Sequence, residues 1–519
     1  MPSAQELQRD PPPAPQGTWP VGLPLRGGAG RSESNGIRRR YSALRRRDMA
    51  YTGKGSAKAV AVLLALLMAM VFLPLPGLGG VAEATDEGER GCGTYREVGD
   101  WPSIHHDSGN SDVLPAGVPG PDDLYLKWSA IENASSFAGP AVGDNGCLYF
   151  TATRENFDAT HSGLMQSVLY ALDQESGEIL WRSNEIWAAG AVSAPLLIRG
   201  PRDELSIVVG CMGKVVAFDE NGCVRWRSRL KAWEVPIGPH LSPDGRSIFL
   251  STNSGSVYLK DPGNGKDLLP PYSMPGLQNI NTPAMTRDGR VILVGIHSSD
   301  PEDGLAWAIK ADTRTRTWIT EWTYENVKGE SETSPALSAD GKKVYIGDEY
   351  GCVIALDARS GEEYWRYQFD PPGDEVYFFY TSLTVTPDGL VATNVVPRDG
   401  GWENLPLYFA VLAEHGDHAE LVYMENWKIN SSATYAVDSG LFYFAGKIND
   451  AASGEVLDVI VALDHETGEY SAQTLENPSL NVLSMAADAV IVPVCWGGII
   501  GLPQVVTEGY ALHYYEQAP

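Results

Sequence analysis

The 519-residue chain is predicted to be all-β, a propeller of four-stranded antiparallel blades. Three observations predict it. A strand–turn–strand module recurs along the chain. A second module with an Asp-Gly turn precedes each copy. The spacing between successive Asp-Gly turns leaves room for four strands per repeat.

The first module is clearest in Gly351–Tyr367, GCVIALDARSGEEYWRY. Val353–Asp357 is an apolar strand. Asp357 can accept a hydrogen bond from the backbone two residues on, which starts a turn. Gly361 supplies the positive φ that closes a short hairpin loop. Glu362–Tyr367 is the return strand, anchored by Trp365. Related stretches are LYALDQESGEILWR from Leu169, VVAFDENGCVRWR from Val215 and VIVALDHETGEY from Val459. VYLKDPGNGKDL from Val257 lacks the Trp, WAIKADTRTRTWITEW from Trp307 lacks the turn Gly, and Tyr408–Tyr423 is degenerate.

The second module is a short strand with Pro, then Asp-Gly, then an alternating strand. Examples are GPHLSPDGRSIFLS from Gly238 and SPALSADGKKVYIGD from Ser334. Asp244, Asp288, Asp340 and Asp388 are 44, 52 and 48 residues apart. Four strands in such a period is the mark of a propeller blade. Pro140, Pro195, Pro239, Pro283 and Pro335 fall in the first strand, and an edge strand tolerates a residue that cannot donate to a ladder.

The alternation of A-x-D-x-x-[ST]-G-x-x-x-W with S-P-x-x-x-x-D-G resembles the quinoprotein-like repeat. That repeat is known from pyrroloquinoline quinone dehydrogenases and from the outer-membrane assembly lipoprotein B. The resemblance covers roughly residues 98–503. It implies an eight-bladed propeller with Trp and Ala packed between neighbouring blades. Fourth strands near Trp128, Trp181, Trp226, Leu268, Trp322, Trp365, Tyr423 and Tyr470 also number eight. Tyr125–Ser129 is expected to close the ring by pairing with the strand around Ile499–Leu502, which removes exposed edges. Trp101–Asp112, WPSIHHDSGNSD, resembles the family's lead-in before that strand. The propeller is assigned to 85–503 and a C-terminal tail to 504–519.

The N-terminus differs. Residues 1–48 are rich in Arg, Pro and Gly without apolar periodicity, which predicts disorder, and Met49 could itself be the start. In 49–84, Lys54 and Lys58 precede the apolar run Ala59–Leu73, and Ala82-Glu83-Ala84 is an A-x-A site. That reads as a signal peptide cleaved after Ala84. Extended through Pro74 to Gly80, the run reaches bilayer length, so a retained membrane anchor is the alternative. Either places the propeller outside the cytoplasm.

Residues 1–84 carry a net +6, and the other 435 carry −33 (28 basic, 61 acidic). Such acidity repels nucleic acid and anionic membranes. Membrane attachment is therefore expected only through the N-terminal segment. Six cysteines remain. Cys211 and Cys223 sit at opposite ends of one strand, roughly 20–25 Å apart at about 3.3 Å per residue, too far for a disulfide. Mostly free, buried thiols are expected.

The family's enzymes carry adjacent cysteines beside the quinone, a calcium site with a catalytic Asp, and often a CxxCH haem motif. This chain has neither adjacent cysteines nor CxxC. The expectation is no catalytic residue and no quinone. His105 and His106, taken as adjacent in an extended strand, would point to opposite faces and not share a metal ion. Asp107 with Asp112, and Asp300 through Asp303, offer oxygen ligands for calcium without the full loop pattern.

The links between second and third strands open on one face. They are long at Thr153–Gln166, His297–Gly304, Pro397–Pro406 and Lys447–Leu457. Binding residues gather on such loops. Asp158, Asp300, Glu302, Asp303, Glu403 and Asp450 make that face acidic, and Trp402 offers an apolar anchor. The function expected is an extracytoplasmic, monomeric, non-enzymatic scaffold for a protein or cationic partner. A pyrroloquinoline quinone-dependent oxidoreductase is the alternative.

Overall fold

The computed structural model describes residues 94–517, apart from 135, 137, 154–166, 187–192, 274–276, 279–280, 298–299, 330–332, 371–376, 380, 398–406, 430, 450–453, 476–478, 480–482 and 494–509. The chain divides into two units, Met1–Gly53 and Lys54–Pro519; every described residue belongs to the second. Residues 1–84, with the expected extension, signal peptide or anchor and cleavage at Ala84, lie outside the described residues. Among the described residues no helix is long and apolar enough to cross a membrane.

Eight sheets form eight blades, antiparallel throughout except where Val113–Leu114 adds in parallel to Thr434–Ala436 of blade seven. Blade five shows the pattern: Ala336–Leu337, Lys343–Gly347, Cys352–Asp357 and Glu363–Gln368 pair in that order. The first strand carries or follows the expected Pro and forms the inner edge. In blades four and six this inner edge is split, so Leu277–Gln278 and Ala284–Met285 both pair with Arg290–His297.

Local chemistry makes the turns as expected. Asp357 Oδ1 accepts the N–H groups of Arg359 and Ser360 at 3.0 and 2.7 Å. In the Asp-Gly turns a hydroxyl two residues earlier donates to the Asp: Ser242 to Asp244 and Thr286 to Asp288, both at 2.6 Å.

Apolar clusters join each blade to the next. One holds Val353, Trp365, Val391 and Leu412 of blades five and six; another holds Trp128, Phe150, Tyr443, Ile460 and Tyr515 of blades seven, eight and one. The expected Trp packing has a defined geometry. Trp181 Nε1–H donates to the Glu220 carbonyl at 2.8 Å, and a Cβ on Gly222 would lie 2.8 Å from the ring. The same pair recurs as Trp226 with Gly265 and Trp322 with Gly361. Between blades three and four both partners are missing together. Arg316, at φ +57°, closes the blade-four hairpin, and Trp318 reaches back to the Pro270 carbonyl at 2.8 Å.

The ring closes by the N-terminal strand, as expected, but against a different partner. Leu124–Glu132 pairs with Tyr510–Gln517, which also pairs with Ala489–Pro493. The third strand of blade eight therefore lies in the stretch read as a tail, and Ile499–Leu502 lies outside the described residues. The sequence just before Tyr510–Gln517 holds neither an Asp-Gly pair nor the first module's pattern.

Cys147, Cys211, Cys223 and Cys352 are free. Cys211 and Cys352 are buried, but Cys223 is exposed and Cys147 half-buried. Cys223 sits in the hairpin turn, where the blade offers no core to cover it.

Candidate functional site

The inner strands bring a series of hydroxyls to the axis of the ring. Ser334 Oγ accepts the Thr282 N–H, Ser382 Oγ accepts the Ser334 N–H, and Ser432 Oγ accepts the Ser382 N–H, at 3.2, 3.4 and 3.1 Å. Each thus ties one blade to the next around the channel.

On the Asp-Gly face this axis is crossed by residues 95–116, which contain the expected lead-in Trp101–Asp112, and the crossing reaches every blade. Main-chain N–H groups of Val142, Leu197, Met285, Leu337, Val385 and Tyr435 donate to the carbonyls of Trp101, Pro102, Ser108, Gly109, Ser111 and Asp112, at 2.7 to 3.1 Å. These are blades one, two, four, five, six and seven. Tyr95 N–H donates to Gly245 O of blade three, and Ala487 N–H of blade eight donates to Asp100 Oδ2. The segment is not the extended strand assumed above: His105, His106, Asn110 and Asp112 all have positive φ, between 55 and 71°. Those turns let one short chain follow the curve of eight inner strands, at a cost in strain that the bonds hold in place.

Its buried side chains lock it. Asn110 Nδ2 donates to the carbonyls of Thr282 and Pro335, at 3.0 and 2.9 Å, and stitches blades four and five together. Its buried Oδ1 has no hydrogen-bond partner among the described residues. His105 Nδ1 meets the Asp112 carboxylate at 2.9 Å, and its Nε2 lies 3.3 Å from Ser334 Oγ. The order carboxylate, imidazole, hydroxyl is that of a general-base relay. Here Ser334 belongs to the series of hydroxyls that tie blades together and is 4% exposed, so the relay pins the crossing segment to blade five.

Burial sets the electrostatics. It pushes the Asp112 carboxyl up, against the opposing pull of His105. It also resists ionisation of Asp107, but His106, the Ser111 hydroxyl and the Gly109 N–H outweigh it and hold that carboxyl at about 2. Glu97 is pushed up to about 8 by burial and by the charge of Asp107. His240, whose Nδ1 is 3.3 Å from Ser103 Oγ, is pushed down to about 3 by burial and by His105. Among the described residues no three His, Cys, Asp or Glu side chains are grouped so as to hold a metal ion. Asp107 and Asp112 each face their own partners.

Of the residues proposed on the opposite face, Asp158, Trp402, Glu403 and Asp450 lie outside the described residues. Asp300 and Glu302 belong to the strand Asp300–Asp312, and Asp303 is exposed opposite Lys328. His297–Gly304 is therefore not a long loop, because His297 already pairs with Asp300. Lys447–Leu457 is shortened likewise, since the ladder continues to Asn449 opposite Val456. In both, backbone pairing extends the hairpin beyond the point where charge suggested a loop. Sequence reasoning identified the lead-in but not its reach across all blades; the only signal was WPSIHHDSGNSD itself.

A family profile described as outer membrane protein assembly factor BamB matches residues 164–376. Protein Rv3035 of Mycobacterium tuberculosis is 24% identical over 340 residues, covering 62% of this chain and 74% of that protein. A europium-containing methanol dehydrogenase superposes with a TM-score of 0.58 at 14% identity, over 80% of this chain and 98% of that one. A quinohemoprotein alcohol dehydrogenase from Comamonas testosteroni gives 0.56 at 14% identity, over 89% and 83%. The two dehydrogenases share the fold with this chain. The resemblance to the quinoprotein-like repeat family is borne out.

Proposed function

We propose that this chain is an extracytoplasmic, non-enzymatic propeller that holds a protein partner. The observation that carries this reading is the crossing of the axis by residues 95–116. Ser103, His105, His240 and Ser334, which a substrate could meet there, each spend a polar atom on a bond within the chain. The matched family is described as a protein assembly factor, which fits a role met by surfaces rather than by a reaction centre. The setting rests on 49–84, whose basic start, apolar run and A-x-A site suit an export signal or an anchor.

The partner face is the one away from the crossing segment, where its acids favour a cationic surface. The test is cross-linking in native cells with two sets of variants. One combines Trp402→Ala with Asp300→Asn, Glu302→Gln and Asp303→Asn. The other carries Asp244→Asn, Asp288→Asn and Asp340→Asn on the opposite face. Loss of the captured protein from the first set alone supports the reading. Equal loss from both, or none from either, overturns the choice of face.

A further inference from the structure

The ring is strongly acidic, yet one of its outer edges is basic. The outer strand of blade two, Val224–Arg229, reads VRWRSR. Trp226 turns toward blade three, where its Nε1–H donates to the Pro262 carbonyl at 3.0 Å. The alternation of a strand therefore puts Arg225, Arg227 and Arg229 on the other face, and all three are exposed. Among the described residues every other outer strand carries at most one Lys or Arg. Lys127 and Arg366, for instance, are matched by Glu516 and Glu363. On blade two, Arg227 is matched by Glu185 at 2.9 Å, while Arg225 and Arg229 have no ion-pair partner among the described residues.

The backbone beside these arginines is open. Val224–Arg229 pairs only with Lys214–Phe218, so its other edge presents unpaired N–H and C=O groups. At the end of this edge stands Trp233, 40% exposed and at φ +70°, a conformation that bulky residues rarely adopt. Its loop is held on both sides. Gly213 N–H donates to Glu234 O at 2.7 Å, and Asn253 N–H donates to Val235 O at 3.1 Å. The buried Glu234 carboxylate accepts from Ser254 and Tyr258, at 2.6 and 2.5 Å. A strained, exposed Trp on a fixed loop suits an anchor that binds without ordering cost.

We propose that this edge docks an extended acidic segment of a protein partner. The segment adds as a strand to Val224–Arg229 through main-chain hydrogen bonds. Its acids, at every second position, meet Arg225, Arg227 and Arg229 across the pair. An apolar residue beyond them rests on Trp233. The arginines recur every two residues, about 6–7 Å, which is the repeat of an extended chain. A second backbone matches the open edge beside them group for group. This surface is separate from the acidic face invoked above and does not depend on it.

The test is fluorescence anisotropy on the full chain with a labelled peptide, Val-Glu-Val-Glu-Val-Glu-Val-Leu. Saturable one-to-one binding is expected. The pair Arg225→Gln with Arg229→Gln, and separately Trp233→Ala, should each weaken it about tenfold, or about 1.4 kcal/mol. Lys342→Gln, an exposed charge on blade five, should leave it unchanged. Methylating alternate peptide amides on one edge should abolish it. Absence of saturable binding overturns the proposal. So does full binding whichever edge of the peptide is methylated, or an equal loss in Lys342→Gln. Capture of phosphatidylglycerol vesicles through Arg225 and Arg229, with the peptide ignored, also overturns it and assigns the edge to a lipid surface. If the Arg variant fails to fold, the methylated peptides on the unaltered chain decide the matter.

Discussion

Trp128 and Gln174 join the two ends of the ring. Trp128 lies on the N-terminal strand that completes blade eight, and its Nε1–H donates to the Gln174 carbonyl in the blade-one hairpin at 3.0 Å. Its ring covers Gly177, where a Cβ would come within 2.5 Å of it. The same indole stacks on Tyr514 at 5.0 Å between centroids. One side chain thus touches the first blade and both strands of the closing pair.

That contact predicts a difference between two glycines with the same backbone. Gly177 and Gly468 both have φ +72°, but nothing lies within 4 Å of a Cβ at Gly468. Gly468→Ala therefore reports backbone strain alone, whereas Gly177→Ala adds a clash. Denaturant unfolding should show Gly177→Ala less stable by a further 1–3 kcal/mol or so. Equal losses would mean that the indole does not sit on this turn.

Closure predicts the effect of removing the last strand. A chain ending before Tyr510 leaves Leu124–Glu132 and Ala489–Pro493 without their partner. Open edges recruit other chains. Light scattering after size exclusion should show oligomers and a lowered melting temperature. A monomer melting as the intact chain does would contradict the closing pair.

Much of this was legible in the sequence because it is local. Asp357, Gly361 and Trp365 lie within nine residues of each other and specify their hairpin without help from the rest of the fold. The Asp-Gly turns do the same. Tyr510–Gln517 was not legible as a blade strand, because its partners are Ala489–Pro493 and a strand near the other end of the domain. The crossing segment was harder still. Its bonds come from carbonyls, which every residue has, and its path depends on positive φ at His105, Asn110 and Asp112, which no pattern of residue types announces. The blade-four loop was overread: charge at Asp300 to Asp303 suggested a loop where the ladder simply continues.

Asn110 tests the crossing segment. Asn110→Ala leaves the Thr282 and Pro335 carbonyls without their shared donor in a buried site. An unsatisfied buried group costs about 1–3 kcal/mol. Thermal unfolding should register a loss in that range or above it. Asn110→Asp should be worse, because its charge would be buried among carbonyl acceptors. No change in either variant would remove the segment's claim to bind blades four and five.

Two buried histidines predict acid sensitivity. Burial holds His240 at about 3 and His513 at about 4, against about 6.5 in an unfolded chain. Below 6.5 the unfolded chain takes up protons that the folded chain refuses, so stability falls as pH falls toward 4. Each contributes a loss of about 2 kcal/mol at pH 5 relative to neutral pH. Glu97 acts in the opposite sense between about 4.5 and 8, since its folded form keeps its proton longer. Comparison with a variant isolates the histidine: His513→Asn should flatten the stability profile between pH 7 and 5. An unchanged slope would show that His513 protonates freely in the fold.

The most direct test of the scaffold reading is titration of the purified chain with pyrroloquinoline quinone, with and without calcium, followed by absorbance and by dye reduction with alcohols and sugars. The account predicts no stoichiometric complex and no turnover, because residues 95–116 occupy the axis on the Asp-Gly face and bond to all eight blades. A tight one-to-one complex that reduces dye would contradict it and make this propeller an oxidoreductase.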